Sequence, residues 1–419
     1  MLVSELRCAI CGRSYSPDEV EYTCPHCGQA GTLDVLYDYA ALRTRVTPDD
    51  VARSGELSMW RYRPLMPLAE DAAVPPLLVG NTPLYETPRL AADLGLSQVW
   101  VKDDGRNPTG SLKDRASALI VARAMAEGIE VVTTASTGNA AAALAGLAAS
   151  VGLPSVIFVP ASAPEAKIAQ LLIYGATVML VQGNYDNAFD LAVAASERYG
   201  WYNRNTGMNP YTLEGKKTVA FEVAEQFGWD VPDVLVVSVG DGNIISGVYK
   251  GFRDLVELGW IGRVPRLIGV QSTGSAACYH AWKTGADPAT MEPINAQTVA
   301  DSIAADLPRD RVKAVRAVHE SGGAFVAVPD EAILDGIPAL ARLSGVFAEP
   351  AGAAVYAGAQ AAIADGYIQA TDRVVLLVTG NGLKDIKSAM RVAGAGHPVA
   401  PDIDEVERLR RALQLPTFK

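Results

Sequence analysis

Short apolar segments that alternate with helix-like stretches constrain the fold of this chain more than any other feature. The strand-like runs are rich in β-branched residues: Gln98–Lys102, Glu130–Thr134, Ser155–Val159, Thr177–Val181, Val234–Val237, Leu267–Val270 and Arg373–Val378. The helix-like stretches are Asp114–Ala126, Asn139–Val151, Glu165–Tyr174, Tyr185–Tyr199, Glu214–Phe227, Ile244–Leu258, Asp330–Leu343 and Gly352–Asp365. Strands that are continuously apolar and separated by helices predict parallel sheets covered on both faces. We therefore predict an α/β fold.

Composition and charge exclude several classes of function. The chain has 419 residues, 49% of them hydrophobic and 20% charged, which is typical of a folded chain of two or three domains. A net charge of -11 argues against a nucleic-acid partner and against a basic membrane-binding patch. Met1–Arg7 contains no signal-peptide core, and Gly152 and Pro154 interrupt the longest apolar region. We expect a cytoplasmic protein with no membrane partner.

Two Cys-x-x-Cys pairs lie near the N-terminus, Cys8 with Cys11 and Cys24 with Cys27. A glycine follows each pair and lets the backbone turn tightly enough for two thiolates to reach one ion. Four thiolates in a tetrahedral array are typical of structural zinc. A redox role for the two pairs is the alternative. Because the segment is rich in acidic residues, we expect a zinc ribbon that stabilises an N-terminal extension and does not bind nucleic acid.

Lys113 lies in the segment Asn107-Pro-Thr-Gly-Ser-Leu-Lys-Asp-Arg115, between a predicted strand and a predicted helix. A lysine at such a junction is placed at the wall of a cleft rather than on a solvated face. Its amine is suited to form a Schiff base with an aldehyde cofactor and then to act as a base. A surface lysine in a turn is the alternative interpretation.

Three further loops follow predicted strands. Ser136-Thr-Gly-Asn-Ala140 begins a helix, where Ser or Thr is a typical N-cap and free N–H groups can bind an anion. In Val239-Gly-Asp-Gly-Asn-Ile244, the glycines let successive N–H groups converge, as a phosphate at a helix N-terminus requires. The third loop, Thr379-Gly-Asn-Gly-Leu-Lys-Asp385, follows the last predicted strand.

These motifs resemble those of the threonine synthase family, which belongs to the fold-type II pyridoxal-phosphate enzymes. The lysine segment differs from the family's usual NPTGSFKDR only at Leu112, and the third loop is similar to TGHGLKD, with Asn381 in place of histidine. Asn209–Thr218 and Glu349–Ala353 resemble the family's NPxRLEGQKT and EPASA segments, although each is also a plausible helix start. The resemblance covers nearly the whole chain.

The resemblance implies a site for pyridoxal 5'-phosphate and an amino-acid substrate. Lys113 is then the catalytic, cofactor-binding lysine, Asn139 contacts the ring hydroxyl and Thr379 faces the pyridine nitrogen. The implied cradle for the cofactor phosphate is Gly240, Asp241, Gly242, Asn243 and Ile244. The implied site for the substrate carboxylate is Ser136, Thr137 and Gly138.

The resemblance also implies an architecture of two parallel-sheet α/β domains with a cleft between them, plus the small N-terminal zinc ribbon. We predict the ribbon at 1–38, a large cofactor-binding domain from 39–118 and 205–419, and a small mobile domain at 119–204. The segment from Asp38 to Pro76 is expected to pack across the main domain or a partner subunit. We expect a homodimer.

Departures from the family pattern concern the substrate. Ala140 replaces a threonine, and Thr212 stands where the family has an arginine thought to bind the substrate phosphate. Asp241 brings a carboxylate to the cradle, and we expect its side chain to turn away and cap a neighbouring amide. The candidates to replace the arginine are Arg204, Lys216 and Lys167, whose side-chain tips the sequence does not place.

The activity implied by the resemblance is that of a lyase, which converts O-phospho-L-homoserine and water to L-threonine and phosphate. The alternative enzyme keeps the cofactor but removes or replaces a β-substituent of a hydroxy or phospho amino acid, as serine/threonine ammonia-lyase and cysteate synthase do. A non-catalytic interaction protein that holds the cofactor is a third hypothesis, which turnover of any amino acid would eliminate.

Overall fold

The computed structural model describes residues 3–163 and 165–416. Its strands are β1 (Val3–Cys8), β2 (Ser14–Tyr15), β3 (Leu33–Tyr37), β4 (Leu84–Glu86), β5 (Gln98–Asp103), β6 (Val132–Ala135), β7 (Ser155–Pro160), β8 (Thr177–Val181), β9 (Tyr202–Asn203), β10 (Val234–Ser238), β11 (Arg266–Ser272), β12 (Ala324–Val328) and β13 (Arg373–Val378). Its helices are α1 (Tyr39–Arg45), α2 (Pro48–Arg53), α3 (Pro88–Leu94), α4 (Lys113–Ala126), α5 (Asn139–Ala149), α6 (Glu165–Ile173), α7 (Tyr185–Tyr199), α8 (Tyr211–Lys216), α9 (Thr218–Gln226), α10 (Asn243–Leu258), α11 (Ala277–Thr284), α12 (Arg311–Glu320), α13 (Asp330–Ser344), α14 (Pro350–Ala364), α15 (Ile386–Val392) and α16 (Ile403–Ala412). Within these ranges, no helix has both the length and the apolar character needed to cross a membrane.

The strands form three sheets. The largest has the order β12-β11-β10-β13-β5-β4 and is parallel except for the edge strand β4, which pairs antiparallel with β5. A second sheet, β8-β7-β6-β9, is parallel throughout. The third is a small antiparallel sheet, β2-β1-β3, near the N-terminus. The predicted α/β fold with parallel sheets is confirmed.

The largest sheet is apolar on both faces because helices cover each of them. Along β10, Val234 and Val236 pack into a core formed with α3, α13 and α14. The intervening Leu235 and Val237 pack into a second core, formed with α9, α10 and α12. This alternation is the side-chain geometry of a strand whose two faces are both buried.

The structure differs from the prediction at several elements. Strand β8 lies at the edge of its sheet, so its side chains are not covered on both faces, and Leu180 is 53% exposed. The predicted helix Glu214–Phe227 is divided into α8 and α9 at Lys217. Strand β12 and helices α11 and α12 were not predicted.

The N-terminal segment shares its core with the rest of the chain. Leu6, Val35 and Tyr37 belong to the same buried cluster as α9 and α10. In a buried part of this contact, the Nζ of Lys313 in α12 donates a hydrogen bond to the carbonyl of Leu33 at 2.8 Å. The segment after Asp38, which includes the buried residues Trp60 and Tyr62, packs into the same cluster. That segment therefore crosses the main body of its own chain.

The division into domains at 39–118, 119–204 and 205–419 stays a prediction. The second sheet uses only strands between residues 132 and 203, while α4 runs across the boundary between 118 and 119.

Candidate active site

A cavity of about 650 Å³ lies where the carboxyl ends of the two parallel sheets face each other. Its walls include the loops that follow β5, β10 and β13 of the large sheet and the loop that follows β6 of the second sheet. Every cofactor- and substrate-binding residue predicted from the sequence lines this cavity: Lys113, Ser136, Thr137, Gly138, Asn139, Gly240, Asp241, Gly242, Asn243, Ile244 and Thr379. The structure thus brings together loops that are far apart in the sequence, at the place where α/β folds bind ligands.

Lys113 is the first residue of α4, and a buried ionic network fixes the start of this helix. Arg115 is fully buried, and its Nε donates to Asp104 Oδ2 at 2.7 Å. Its Nη1 donates to Glu222 Oε1 at 2.6 Å. Because these carboxylates and the guanidinium satisfy one another away from water, the backbone that carries Lys113 has little freedom to move.

The surroundings of Lys113 favour its neutral form. Burial and, to a lesser extent, the Arg204 guanidinium lower the pKa of the Lys113 amine to about 8, although the carboxylates of Asp241 and Glu349 oppose the shift. A lysine must be neutral to act as a nucleophile or a base, so this pKa increases the reactive fraction near neutral pH.

The glycines of the loop after β10 are required by close backbone contacts. Gly242 has a φ of +87°, and a Cβ built there would lie 2.7 Å from the Cβ of Ala314. At Gly240, a Cβ would lie 2.8 Å from the Cα of Ile303. Any side chain at either position would displace its neighbours or the loop itself.

This loop leads into the N-terminus of α10, whose first turn can bind an anion. The first intrahelical hydrogen bond runs from the Ser246 N–H to the Gly242 carbonyl at 3.1 Å. The N–H groups of residues 243–245 therefore have no partner within the helix. The buried hydroxyl of Ser238, which also lines the cavity, has no hydrogen-bond partner among the described residues. These donors fit a bound phosphate.

Asp241 is hydrogen-bonded to the backbone at Arg309 and Asp310. Its Oδ1 accepts a hydrogen bond from the Arg309 N–H at 3.3 Å, and its carbonyl accepts one from the Asp310 N–H at 2.8 Å. Burial raises the pKa of the Asp241 carboxyl. The expectation that this side chain caps a neighbouring amide is confirmed.

Glu349 is a cavity residue that the sequence placed in a segment resembling a family motif but to which no role was assigned. It is buried, and its Oε1 accepts a hydrogen bond from Asn139 Nδ2 at 2.8 Å. Burial raises the pKa of Glu349 to about 7, although the nearby Lys113 opposes the shift. Gly380 makes room for this carboxylate, because a Cβ at that position would overlap it. The Glu-Pro-Ala-Gly-Ala motif was the available signal.

The three cations that could bind the substrate phosphate in place of the family arginine differ in their surroundings. Arg204 and Lys216 are fully buried and line the cavity. Lys167 instead lines a smaller neighbouring cavity of about 150 Å³ and forms an ion pair with Asp301. Thr212 is buried outside the cavity lining, and its hydroxyl donates to the carbonyl of Asn209 at 2.8 Å.

The four N-terminal cysteines converge as the sequence predicts. The Sγ atoms of Cys8, Cys11, Cys24 and Cys27 all lie within 4.8 Å of one another. The Sγ atoms of Cys11 and Cys24 are 3.8 Å apart, and a tetrahedral site with Zn–S bonds of about 2.3 Å has edges of about 3.8 Å. The glycines that follow the pairs have left-handed φ angles of +71° and +62°, consistent with the tight turns expected there. The four sulfurs therefore fit one tetrahedral ion.

Comparison with known proteins assigns the family. The family described as "Pyridoxal-phosphate dependent enzyme" matches residues 76–380. The chain belongs to this pyridoxal-phosphate-dependent enzyme family. It is 37% identical to the threonine synthase of Methanocaldococcus jannaschii over 97% of this chain and 99% of that enzyme. It is 39% identical to the threonine synthase of Methanosarcina acetivorans over 96% of this chain and 97% of that enzyme.

Solved structures place this pyridoxal-phosphate-dependent enzyme in fold type II. Maize serine racemase superposes with a TM-score of 0.63 at 22% identity, covering 74% of this chain and 92% of the racemase. The processed form of threonine deaminase isoform 2 from Solanum lycopersicum gives a TM-score of 0.63 at 23% identity, covering 75% and 84% of the two chains. The predicted fold class is confirmed. The glycine loop, the free N–H groups of α10 and the lysine across the cavity fit the family's cofactor.

Proposed function

We propose that this enzyme is a threonine synthase, which converts O-phospho-L-homoserine and water to L-threonine and phosphate. The observation that carries the proposal is the identity of 37% and 39% with threonine synthases that align over nearly their whole length. In this reaction the bond between the γ-carbon and the phosphate oxygen breaks, and the hydroxyl of water is added at the β-carbon.

Each part of the cavity has a role in this proposal. When bound, pyridoxal phosphate supplies an electron sink for the substrate's carbon skeleton. Lys113 holds the cofactor through Nζ and then moves protons on the substrate's carbon atoms, for which its lowered pKa is suited. Ser136, Thr137 and Gly138, at the N-terminus of α5, bind the substrate carboxylate with backbone N–H groups and the helix dipole.

The remaining cofactor contacts follow from the same cavity. The N-terminus of α10 and the loop from Gly240 to Ile244 bind the cofactor phosphate. Asn139 contacts the ring hydroxyl, and its hydrogen bond to Glu349 holds the amide in place. Thr379 faces the ring nitrogen; its neutral hydroxyl cannot keep that nitrogen protonated as a carboxylate would, which favours elimination and replacement over transamination.

We further infer that the four cysteines bind one structural zinc ion in a ribbon at residues 1–38. A closed set of four thiolates has no open position for substrate, so the metal stabilises the segment and takes no part in the reaction. A mobile domain at 119–204, a homodimer and a cytoplasmic location stay predictions. Domain motion would appear as ligand-dependent hydrogen exchange in that range, and light scattering would give the mass of the assembly.

A product screen of the purified enzyme with its cofactor tests the activity. Incubation with O-phospho-L-homoserine should release threonine and phosphate in equal amounts, whereas phosphoserine, serine and threonine should be poor substrates. Faster release of ammonia from serine or threonine, or replacement at the β-carbon of phosphoserine, would reject threonine synthase in favour of the β-eliminating alternative. Ala140 and Thr212, which differ from the family motifs, are the observations that keep this alternative in the screen.

A further inference from the structure

Arg204 is a buried cation that forms no ion pair with a carboxylate of the described residues, although Asp114 and Asp241 lie near enough to oppose the lowering of its pKa. It is fully buried and lines the active-site cavity. Its Nε donates to Ser117 Oγ at 3.2 Å and its Nη1 to Thr206 Oγ1 at 2.8 Å, both of them neutral hydroxyls. Its Nη2 is buried and has no hydrogen-bond partner among the described residues. A buried charge and an unsatisfied donor are both costly, so a ligand that supplies an anion here would be strongly favoured.

Lys216 is a second cation of the same kind. It is fully buried, it lines the cavity, and its Nζ donates to Asn243 Oδ1 at the start of α10. No carboxylate of the described ranges lies within ion-pair distance of Lys216 or Arg204. Burial lowers the pKa of both groups, to about 10 for Arg204, and the positive charge of Lys113 lowers that of Lys216 further. Lys113, Arg204 and Lys216 thus share one cavity, whose lining also includes the half-buried Arg309.

The two buried cations are hydrogen-bonded to different parts of the cavity wall. Lys216 is bonded to Asn243 at the start of the helix that forms the proposed phosphate cradle, so it is placed to neutralise a phosphate bound there. Arg204 directly follows β9, and its N–H donates to the carbonyl of Thr133 in β6 at 2.8 Å. Strand β6 leads into the loop 136–138, so Arg204 belongs to the sheet that carries the substrate-carboxylate loop. One cofactor phosphate at the cradle therefore leaves Arg204 without an anion.

We propose that Arg204 binds the phosphate group of a phosphorylated amino-acid substrate. It thereby takes the role of the arginine that the family has at the position of Thr212. This inference rests on the proposed function, and it assigns the substrate class to one side chain. Its planar guanidinium keeps Nη2 without a partner among the described residues and can form charge-assisted hydrogen bonds with phosphate oxygens. Lys167 does not take this role, because its charge is already paired with Asp301.

The test compares wild-type holoenzyme with the variants Arg204→Gln and Arg204→Lys, with Lys167→Gln as the matched charge-removal control. Calorimetry gives the affinity for inorganic phosphate, a separate titration gives the affinity for pyridoxal phosphate, and steady-state kinetics give KM for O-phospho-L-homoserine. We expect Arg204→Gln to weaken phosphate binding and raise KM by about 10- to 150-fold, the loss of one charge-assisted contact. Arg204→Lys should lose less, and Lys167→Gln should match the wild type.

Several results would overturn the inference. Unchanged phosphate affinity and KM in Arg204→Gln would do so. An equal loss of affinity for pyridoxal phosphate in this variant would also do so, because it would assign Arg204 to the cofactor. A wild-type enzyme that binds inorganic phosphate through Arg204 but does not turn over O-phospho-L-homoserine would reject the proposed function while supporting the anion site.

A labelling experiment does not depend on whether the variants fold. In the wild-type holoenzyme, inorganic phosphate should slow hydrogen exchange of the peptide that contains Arg204, as measured by mass spectrometry, because a bound phosphate would fix a side chain that has an unsatisfied donor. Equal exchange of this peptide with and without phosphate would contradict the proposal.

Discussion

Replacing Gly242 with alanine tests whether the loop before α10 is the phosphate cradle. The helix provides its own control, because Gly259 at its other end also has a left-handed backbone, with a φ of +75° against +87° at Gly242. The two positions differ in their surroundings. A Cβ at Gly259 has no described atom within 4 Å, whereas one at Gly242 lies 2.7 Å from Ala314 Cβ and 3.1 Å from the Asp310 carbonyl oxygen.

The magnitudes follow from these contacts. Alanine in the left-handed region costs about 1–2 kcal/mol, so both variants should lose that much free energy of unfolding. Overpacking at Gly242 should add about 1–3 kcal/mol, since the atoms it meets are a backbone carbonyl and a helix Cβ. If the loop shifts to relieve the contact, one charge-assisted bond to phosphate is lost, and pyridoxal phosphate should bind about 10- to 150-fold more weakly.

Urea unfolding of the apo proteins and spectrophotometric titration with pyridoxal phosphate measure the two effects. Gly259→Ala should keep wild-type cofactor affinity. If the two substitutions lowered the free energy of unfolding equally, the contact of the new Cβ with Ala314 would add no cost at position 242. Equal cofactor affinity in the two variants would place the phosphate elsewhere in the cavity.

Three further predictions follow from the site and the cysteine cluster. Lys113→Ala should abolish turnover, and borohydride should no longer attach the cofactor covalently to the protein. The control variant Lys387→Ala, at an exposed position, should behave as wild type. Attachment of the cofactor to another lysine in the wild-type enzyme would contradict the assignment. Burial raises the pKa of Glu349 from 4.5 to about 7, so its stabilising contribution is full below pH 4.5 and is lost as pH rises toward 7. The unfolding free energy of the wild-type apo protein minus that of Glu349→Gln should therefore fall across this range in urea titrations, and a flat difference would refute the shift. Metal analysis should find one zinc per wild-type chain, and Cys27→Ser should remove it and speed hydrogen exchange in residues 3–37. The control variant Cys278→Ala, outside the cluster, should keep the metal. Wild-type protein without zinc would reject the metal site.

The chemistry of the loops could be predicted from the sequence because each loop is local. Four loops that follow apolar strands contain the predicted cavity residues, and parallel strands place their carboxyl ends at one edge of a sheet. The cysteine pairs are local in the same sense, since each pair and its glycine form one turn. For these features, strand order and residue type were sufficient to predict convergence.

Only the tertiary structure shows which charged side chains line the cavity and which form ion pairs elsewhere. Arg204, Lys216 and Lys167 were equivalent candidates in the sequence, but packing buries the first two in the cavity and leaves the third paired with Asp301. Glu349 is likewise carried to Asn139 by the meeting of two distant elements, with Gly380 making the space.

Two further features could not be predicted from the sequence for the same reason. They are the exposure of strand β8 and the core that the N-terminal segment shares with the rest of the chain. An edge strand and a central strand can have the same apolar composition, so composition does not reveal which side chains of β8 remain exposed. The buried residues of the N-terminal segment belong to a core that includes α9 and α10, about two hundred positions away in the chain. Local pattern determines which backbone a segment forms, whereas burial and counter-ions depend on neighbours that only the assembled fold supplies.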